Sequence, residues 1–206
     1  MAVEPETIDL RLERVLDNAD AFFMKTGKVH RTAEALARRL AAADIPYAIA
    51  GAMALGVHGF ERVTIDVDVL LTRDGLARFK SRHLGRGYVE KFPGSKDLRD
   101  TENNVTIDVL IAGDFPGDGL PKPVAFPDPQ DAAIEGDRYR VLPLPQLVEL
   151  KLASGMTAPH RLKDLADVLE LIRAIKLPAE LAADLHPYVR EKYEELWRAA
   201  QIQDPE

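Results

Sequence analysis

The five letters VTIDV occur twice in this chain, at residues 63–67 and 105–109. Each copy sets an aspartate inside a run of β-branched apolar residues that reads as a buried strand, and the first copy runs on to a second acid in VTIDVDVLL. An ionised carboxylate is costly to bury unless it is paired or bound to a cation. Side chains on a strand alternate between its two faces. In the first copy Ile65, Val67, Val69 and Leu71 share one face, while Thr64, Asp66 and Asp68 share the other. In the second, Ile107, Val109 and Ile111 oppose Thr106 and Asp108. If the two strands are neighbours with their apolar faces in one core, all three acids emerge together. Clustered carboxylates raise one another's pKa unless a cation sits among them. A hard divalent ion meets that need, since Mg²⁺ takes oxygen ligands at about 2.0–2.1 Å and keeps waters and substrate phosphates around it.

Asp-x-Asp alone is a weak signal, because acids at alternate strand positions are common on a solvated sheet face. The upstream stretch AIAGAMALGVHGFERVTIDVD separates the two cases. A strand is expected to end at Ala50, Gly51 to make the turn, and a short helix to follow. The free N–H groups of that helix would cradle phosphate oxygens opposite the acids.

The remaining elements follow from periodicity. Helices are predicted over 7–24, 30–43 and near 74–84, with apolar residues at the spacing of one helical face. Short strands are expected at 47–51, 88–92, within 96–104 and at 137–142. Residues 112–131, dense in Gly and Pro, read as a long irregular loop. Three helices then cover 144–155, 160–175 and 186–202. Strands in the centre and helices at both ends argue an α+β fold, a mixed sheet flanked by helices with a helical C-terminal part. The expected division is a core over 1–142, N-terminal helices included, and a helical region over 143–206.

A chain of 206 residues can bury a sizeable core, and its 46% hydrophobic and 30% charged content is ordinary for a globular protein. No apolar run is long enough to span a bilayer and the N-terminus has no export pattern, so a cytoplasmic location without a membrane partner is expected. The absence of cysteine excludes disulfides, zinc–thiolate sites and a cysteine nucleophile. A net charge of −7 argues against a protein that coats nucleic acid non-specifically. The basic run RDGLARFKSRHLGRG at 73–87 reads as a solvated helix face.

Taken jointly, IAGA at 49–52, DVD at 66–68 and IDV at 107–109 resemble the nucleotidyltransferase superfamily typified by DNA polymerase beta. GAMALGVHGFERVTIDVDVLL is similar in particular to the AbiEii/AbiGii-type branch, which includes toxins of toxin–antitoxin systems. LVELKLASGMTAPHRLKDLADVLELI at 147–172 resembles that branch's helical Lys, Arg and Lys-Asp-x-x-Asp stretch. The resemblance spans about residues 45–175. It implies a mixed-sheet nucleotidyltransferase-like core that moves a nucleoside monophosphate from a triphosphate to an acceptor hydroxyl on tRNA, a protein or a small molecule. It further implies Asp66, Asp68 and Asp108 as catalytic residues and ligands of two Mg²⁺ ions about 3.5–4 Å apart. Gly51, Ala52, Arg62 and Lys151 would bind the nucleotide, and an antitoxin protein would be a partner. Ala52 stands where the family carries Gly or Ser, so a hydroxyl contact to phosphate is absent. Asp164 and Asp167 are expected to pair with Arg161 or Lys163 across one helical turn. The competing readings are a catalytically silent nucleotide-binding or regulatory protein of the same fold, and phosphate-ester hydrolysis at the same acids.

Overall fold

The computed structural model of the chain describes residues 27–202, together with Val15, Asp17 and Ala19. Apart from those three residues, the helix expected over 7–24 lies outside the described residues. The first described helix, α1 (Lys28–Ala42), buries Val29, Ala33, Leu36, Ala37 and Leu40, the stripe that its 3.6-residue period dictates. It stops at Asp44, which takes a φ of 50° before Ile45 and Pro46 lead into β1 (Tyr47–Ile49). Helix α2 (Gly51–Val57) comes next, then β2 (Asp66–Leu71) and α3 (Arg73–His83), whose first turn is capped by the Thr72 side chain accepting from the Gly75 amide. The chain returns through β3 (Tyr88–Glu90), β4 (Leu98–Asp100) and β5 (Val105–Ile111).

These strands form one mixed sheet in the order β1-β2-β5-β4-β3. Only β2 and β5 run parallel; the other neighbours are antiparallel. A parallel pair needs a long crossover, which α3 and the β3–β4 hairpin provide. Val67, Val69, Leu71, Ile107, Val109 and Ile111 are all buried, each such aliphatic side chain contributing about 1.5–3 kcal/mol of transfer free energy. Helix α1 packs against β1, β2 and β5. The alternation read from the two VTIDV copies therefore holds from Asp66 onward. Ile65 does not join it. It lies ahead of the strand and is 79% exposed, because pairing with β5 begins only at Asp66.

The Gly/Pro-rich stretch contains one short helix, α4 (Pro129–Ala132), begun by the Asp128 side chain accepting from the Gln130 amide. Residues 137–142 do not form the expected strand. Val141 makes isolated bridges to Ile49 and Ile134, and β1, only three residues long, offers no longer edge before Pro143 starts the next helix. Helices α5 (Leu144–Thr157), α6 (Leu162–Ala174) and α7 (Pro187–Ala200) complete the fold, with short 3₁₀ segments at Pro159–Arg161 and Ala179–Asp184. The three helices pack on one another. Trp197 donates its ring N–H to the Leu177 carbonyl, and the buried Tyr193 donates its hydroxyl to that of Pro178. The observed architecture is the mixed α/β sheet flanked by helices that the sequence implied. Among the described residues no helix is long and apolar enough to cross a membrane.

Candidate active site

In the parallel ladder Asp68 lies directly opposite Asp108, and Asp66 opposite Thr106. Residues opposed in a ladder project to the same side, so all three acids stand on the sheet face that is not packed against α1. Asp66 accepts a 2.5 Å hydrogen bond from the Thr64 hydroxyl, and Asp108 lies 3.4 Å from the Lys91 ammonium. Burial, followed by the charges of Asp66 and Asp108, pushes the Asp68 carboxyl up to about 6, and Lys151 and Arg161 only partly offset this.

Asp68 is also bound into the turn that opens α2. The Ala50 amide donates to the Asp68 carbonyl at 2.9 Å, and Gly51 takes a φ of +57°. A Cβ at position 51 would overlap the Asp68 carboxyl group itself, so glycine is required both for backbone conformation and for space. The sequence places glycine there because an acid needs room beside it.

Opposite the acids stands a wall of paired charges. The Lys151 ammonium, on α5, lies 2.6 Å from Asp167 and 3.3 Å from Asp164, both on α6. Asp167 also receives Arg62 at 3.2 Å, while Asp164 receives Arg161 at 2.8 Å and the Ser154 hydroxyl at 2.6 Å. Burial would push the Asp164 carboxyl up, but Lys151, the Ser154 hydroxyl and Arg161 together hold it below the usual carboxylate range. Lys151 is thus no surface lysine, its side chain being only 12% exposed. The expectation that Asp164 and Asp167 pair within one helical turn is met only by Arg161 with Asp164. Asp167 pairs with Lys151 and Arg62, on other elements, because its side chain points off α6 into the cleft wall instead of along the helix.

Between the two walls lies a cleft of about 930 Å³. Gly51, Ala52, Arg62, Asp66, Asp68, Asp108 and Lys151, all marked in the sequence, line it together. Leu110, Phe115, Phe126, Leu147 and Leu150 give it an apolar flank. Sequence reasoning missed the Thr64, Lys91 and Ser154 contacts, which carry no local signature. His58 lies outside the cleft, its Nε2 paired with the Leu142 carbonyl at 2.8 Å. The basic run at 73–87 is a paired helix face: Arg73 meets Asp114, Arg78 the Ala43 carbonyl, and Lys80 Glu90.

Among the described residues no three His, Cys, Asp or Glu side chains are gathered closely enough to enclose a metal ion by themselves. The donor set nonetheless suits one. Asp68 and Asp108 are hard oxygen donors side by side, and Mg²⁺ is characteristically held by one or two carboxylates with substrate phosphates supplying the rest. The Asp68 carboxyl is raised first by burial and then by the like charges of Asp66 and Asp108, which a cation among them would offset.

No family model matches the chain, and no curated protein sequence matches it. Solved structures are similar to it. JHP933 from Helicobacter pylori is 17% identical with a TM-score of 0.46, over 84% of this chain and 89% of that one. An H. pylori protein whose assignment as a nucleotidyltransferase is itself provisional is 18% identical with a TM-score of 0.44, over 82% and 91%. ANT(2″)-Ia in complex with adenylyl-2″-tobramycin is 14% identical with a TM-score of 0.40, over 83% and 99%.

Proposed function

We propose that this chain is a Mg²⁺-dependent nucleotidyltransferase that moves a nucleoside monophosphate from a nucleoside triphosphate to an acceptor hydroxyl. The observation that carries the reading is the register of Asp68 against Asp108, with Asp66 on the same face and the Lys151–Arg62 wall across the cleft. A triphosphate is the ligand that needs both walls, cations for its oxygens on one side and carboxylates on the other. The resemblance of the sequence motifs to the DNA polymerase beta superfamily supports the same assignment.

Asp68 and Asp108 would hold the metal, with Asp66 beside them on the same face of the sheet. Bound there, Mg²⁺ would supply charge stabilisation for in-line displacement at the α-phosphorus, in which the acceptor oxygen bonds to phosphorus as pyrophosphate leaves. Asp108, on the strand next to Asp68, accepts the proton of the attacking hydroxyl. Gly51 keeps the backbone at the start of α2 clear for phosphate oxygens, and the Ala52 amide donates to them. Lys151 and Arg62 neutralise the triphosphate and orient it. The apolar flank excludes water from the reacting groups.

The acceptor is an RNA 3′ end, a protein side chain or a small molecule, and the likeness to AbiEii-type toxins adds a growth-arresting role countered by an antitoxin. Incubation with each labelled nucleoside triphosphate, Mg²⁺ and total RNA or cell protein tests the reading. Label should enter a macromolecule with the wild type and not with Asp68→Asn; equal labelling by both refutes it. A silent nucleotide-binding protein is the second reading, favoured by Ala52 at the family's Gly/Ser position. Nucleotide binding without transfer to any acceptor would establish it.

A further inference from the structure

Asp167 is a buried acid that touches none of the groups assigned to chemistry except Lys151 and Arg62. Those two cations come from distant parts of the chain, one on α5 and one in the segment that leads into β2. Left to themselves they would repel and turn outward to water, since long basic side chains reach for solvent. Burying a carboxylate between them holds both ends at one spot, 2.6 Å and 3.2 Å from Asp167. Asp164 does the same from the next turn of α6, joining Lys151 to Arg161. The wall therefore reads Arg62, Asp167, Lys151, Asp164, Arg161, three cations interleaved with two anions, with an excess of positive charge facing the cleft.

We infer that Asp167 is a positioning residue, which holds Lys151 and Arg62 as one preformed site for the polyphosphate of the nucleotide. The inference rests on the nucleotide reading above and adds to it the device that orders the cationic wall. Its consequence runs against simple charge counting. Removing a negative charge within 3.2 Å of two cations should tighten an anion's binding if charge alone matters. Releasing the two cations from a common anchor should weaken it, because the cost of gathering them is then met only on binding.

The sign of the effect decides. Inorganic tripolyphosphate with Mg²⁺ is titrated calorimetrically into the full chain, into Asp167→Asn, into Lys151→Met and into the double variant, with thermal unfolding recorded for each. Asp167→Asn is expected to bind about tenfold more weakly than wild type. Because Asp167 acts through Lys151 and Arg62 together, its loss should cost less in the Lys151→Met background than in wild type, about threefold in place of tenfold. Equal or tighter binding by a folded Asp167→Asn overturns the inference, as does full additivity of the two losses. Failure of the wild type to bind tripolyphosphate overturns the nucleotide reading as well, a different outcome from loss of the anchor alone. If Asp167→Asn does not fold, Asp167→Glu keeps the charge and displaces it by one methylene. A loss of about threefold at an unchanged melting temperature is then expected, and unchanged affinity refutes the role.

Discussion

The carboxyl group of Asp68 lies against the α-carbon of Gly51, so the acid on β2 and the turn into α2 occupy space that only a missing side chain leaves open. The same glycine stands at a φ of +57°, which an L side chain adopts at a cost. Gly51→Ala should destabilise the fold by about 2 kcal/mol through strain and overlap together, measured by urea unfolding. Adding Asp68→Ala should restore part of that loss, because it removes the overlap and leaves only the backbone strain. No recovery in the double variant would contradict the contact.

The position of Asp68 also sets a pH dependence. Burial, then Asp66 and Asp108, raise its carboxyl from an ordinary 3.8 to about 6, so the folded chain holds this proton more tightly than the unfolded one. The stability contributed by the protonated group is complete below about pH 4 and is lost as pH rises through about 6. Asp68→Asn mimics the protonated form. In the presence of EDTA it should match the wild type at pH 4 and exceed it by about 2 kcal/mol at pH 8, a figure reduced for the openness of the cleft. Chemical denaturation at the two pH values checks this, and a constant difference would count against it.

Asp108→Asn separates binding from chemistry. The variant keeps shape and loses both a proton acceptor and a metal ligand, so transfer should fall by about a hundredfold or more. Nucleotide affinity measured without Mg²⁺ should change far less, since Lys151 and Arg62 are untouched, whereas affinity with Mg²⁺ falls with the lost ligand. Single-turnover transfer alongside calorimetric titration gives both numbers. The exposed pairing of Asp108 with Lys91 should add little stability, and Lys91→Ala should leave the melting temperature nearly unchanged.

Lys151→Met strips the shared cation from two buried acids. A buried carboxylate left without any partner costs several kcal/mol, but Asp164 retains Arg161 and Ser154, and Asp167 retains Arg62. The expected loss is about 2 kcal/mol, together with weaker nucleotide binding. Thermal unfolding reads the first and calorimetry the second. A Lys151→Met variant as stable as wild type would mean that the wall is solvated instead of buried.

What the sequence disclosed follows from how far each signal reaches. The common face of Asp66, Asp68 and Asp108 was legible because a period of two fixes it once the strands are known to be neighbours, and the identical flanks of the two copies suggested that they are. The glycine turn was legible from its position alone. The Arg62–Asp167 pair was not, since nothing local to either residue announces a partner 105 positions away. For the same reason the spacing of Asp164 and Asp167 pointed to local pairing, and only packing of α6 on α5 turned Asp167 elsewhere. Residues 137–142 have a strand's composition but too short an edge to pair with, which is a property of β1 and not of their own sequence. The segment before Asp66 likewise keeps strand-like letters while lying free of the ladder, which leaves Ile65 in water.

Asp68 and Asp108 ride on adjacent strands whose backbones are stitched together on both sides of them. Strands so joined sit about 4.8 Å apart, and that interval cannot stretch without breaking the stitching. The two carboxylates can swivel, yet their roots behave like the fixed jaws of a calliper. The separation of those roots is therefore set by the main chain, and exchanging side chains elsewhere in the cleft should leave it as it is.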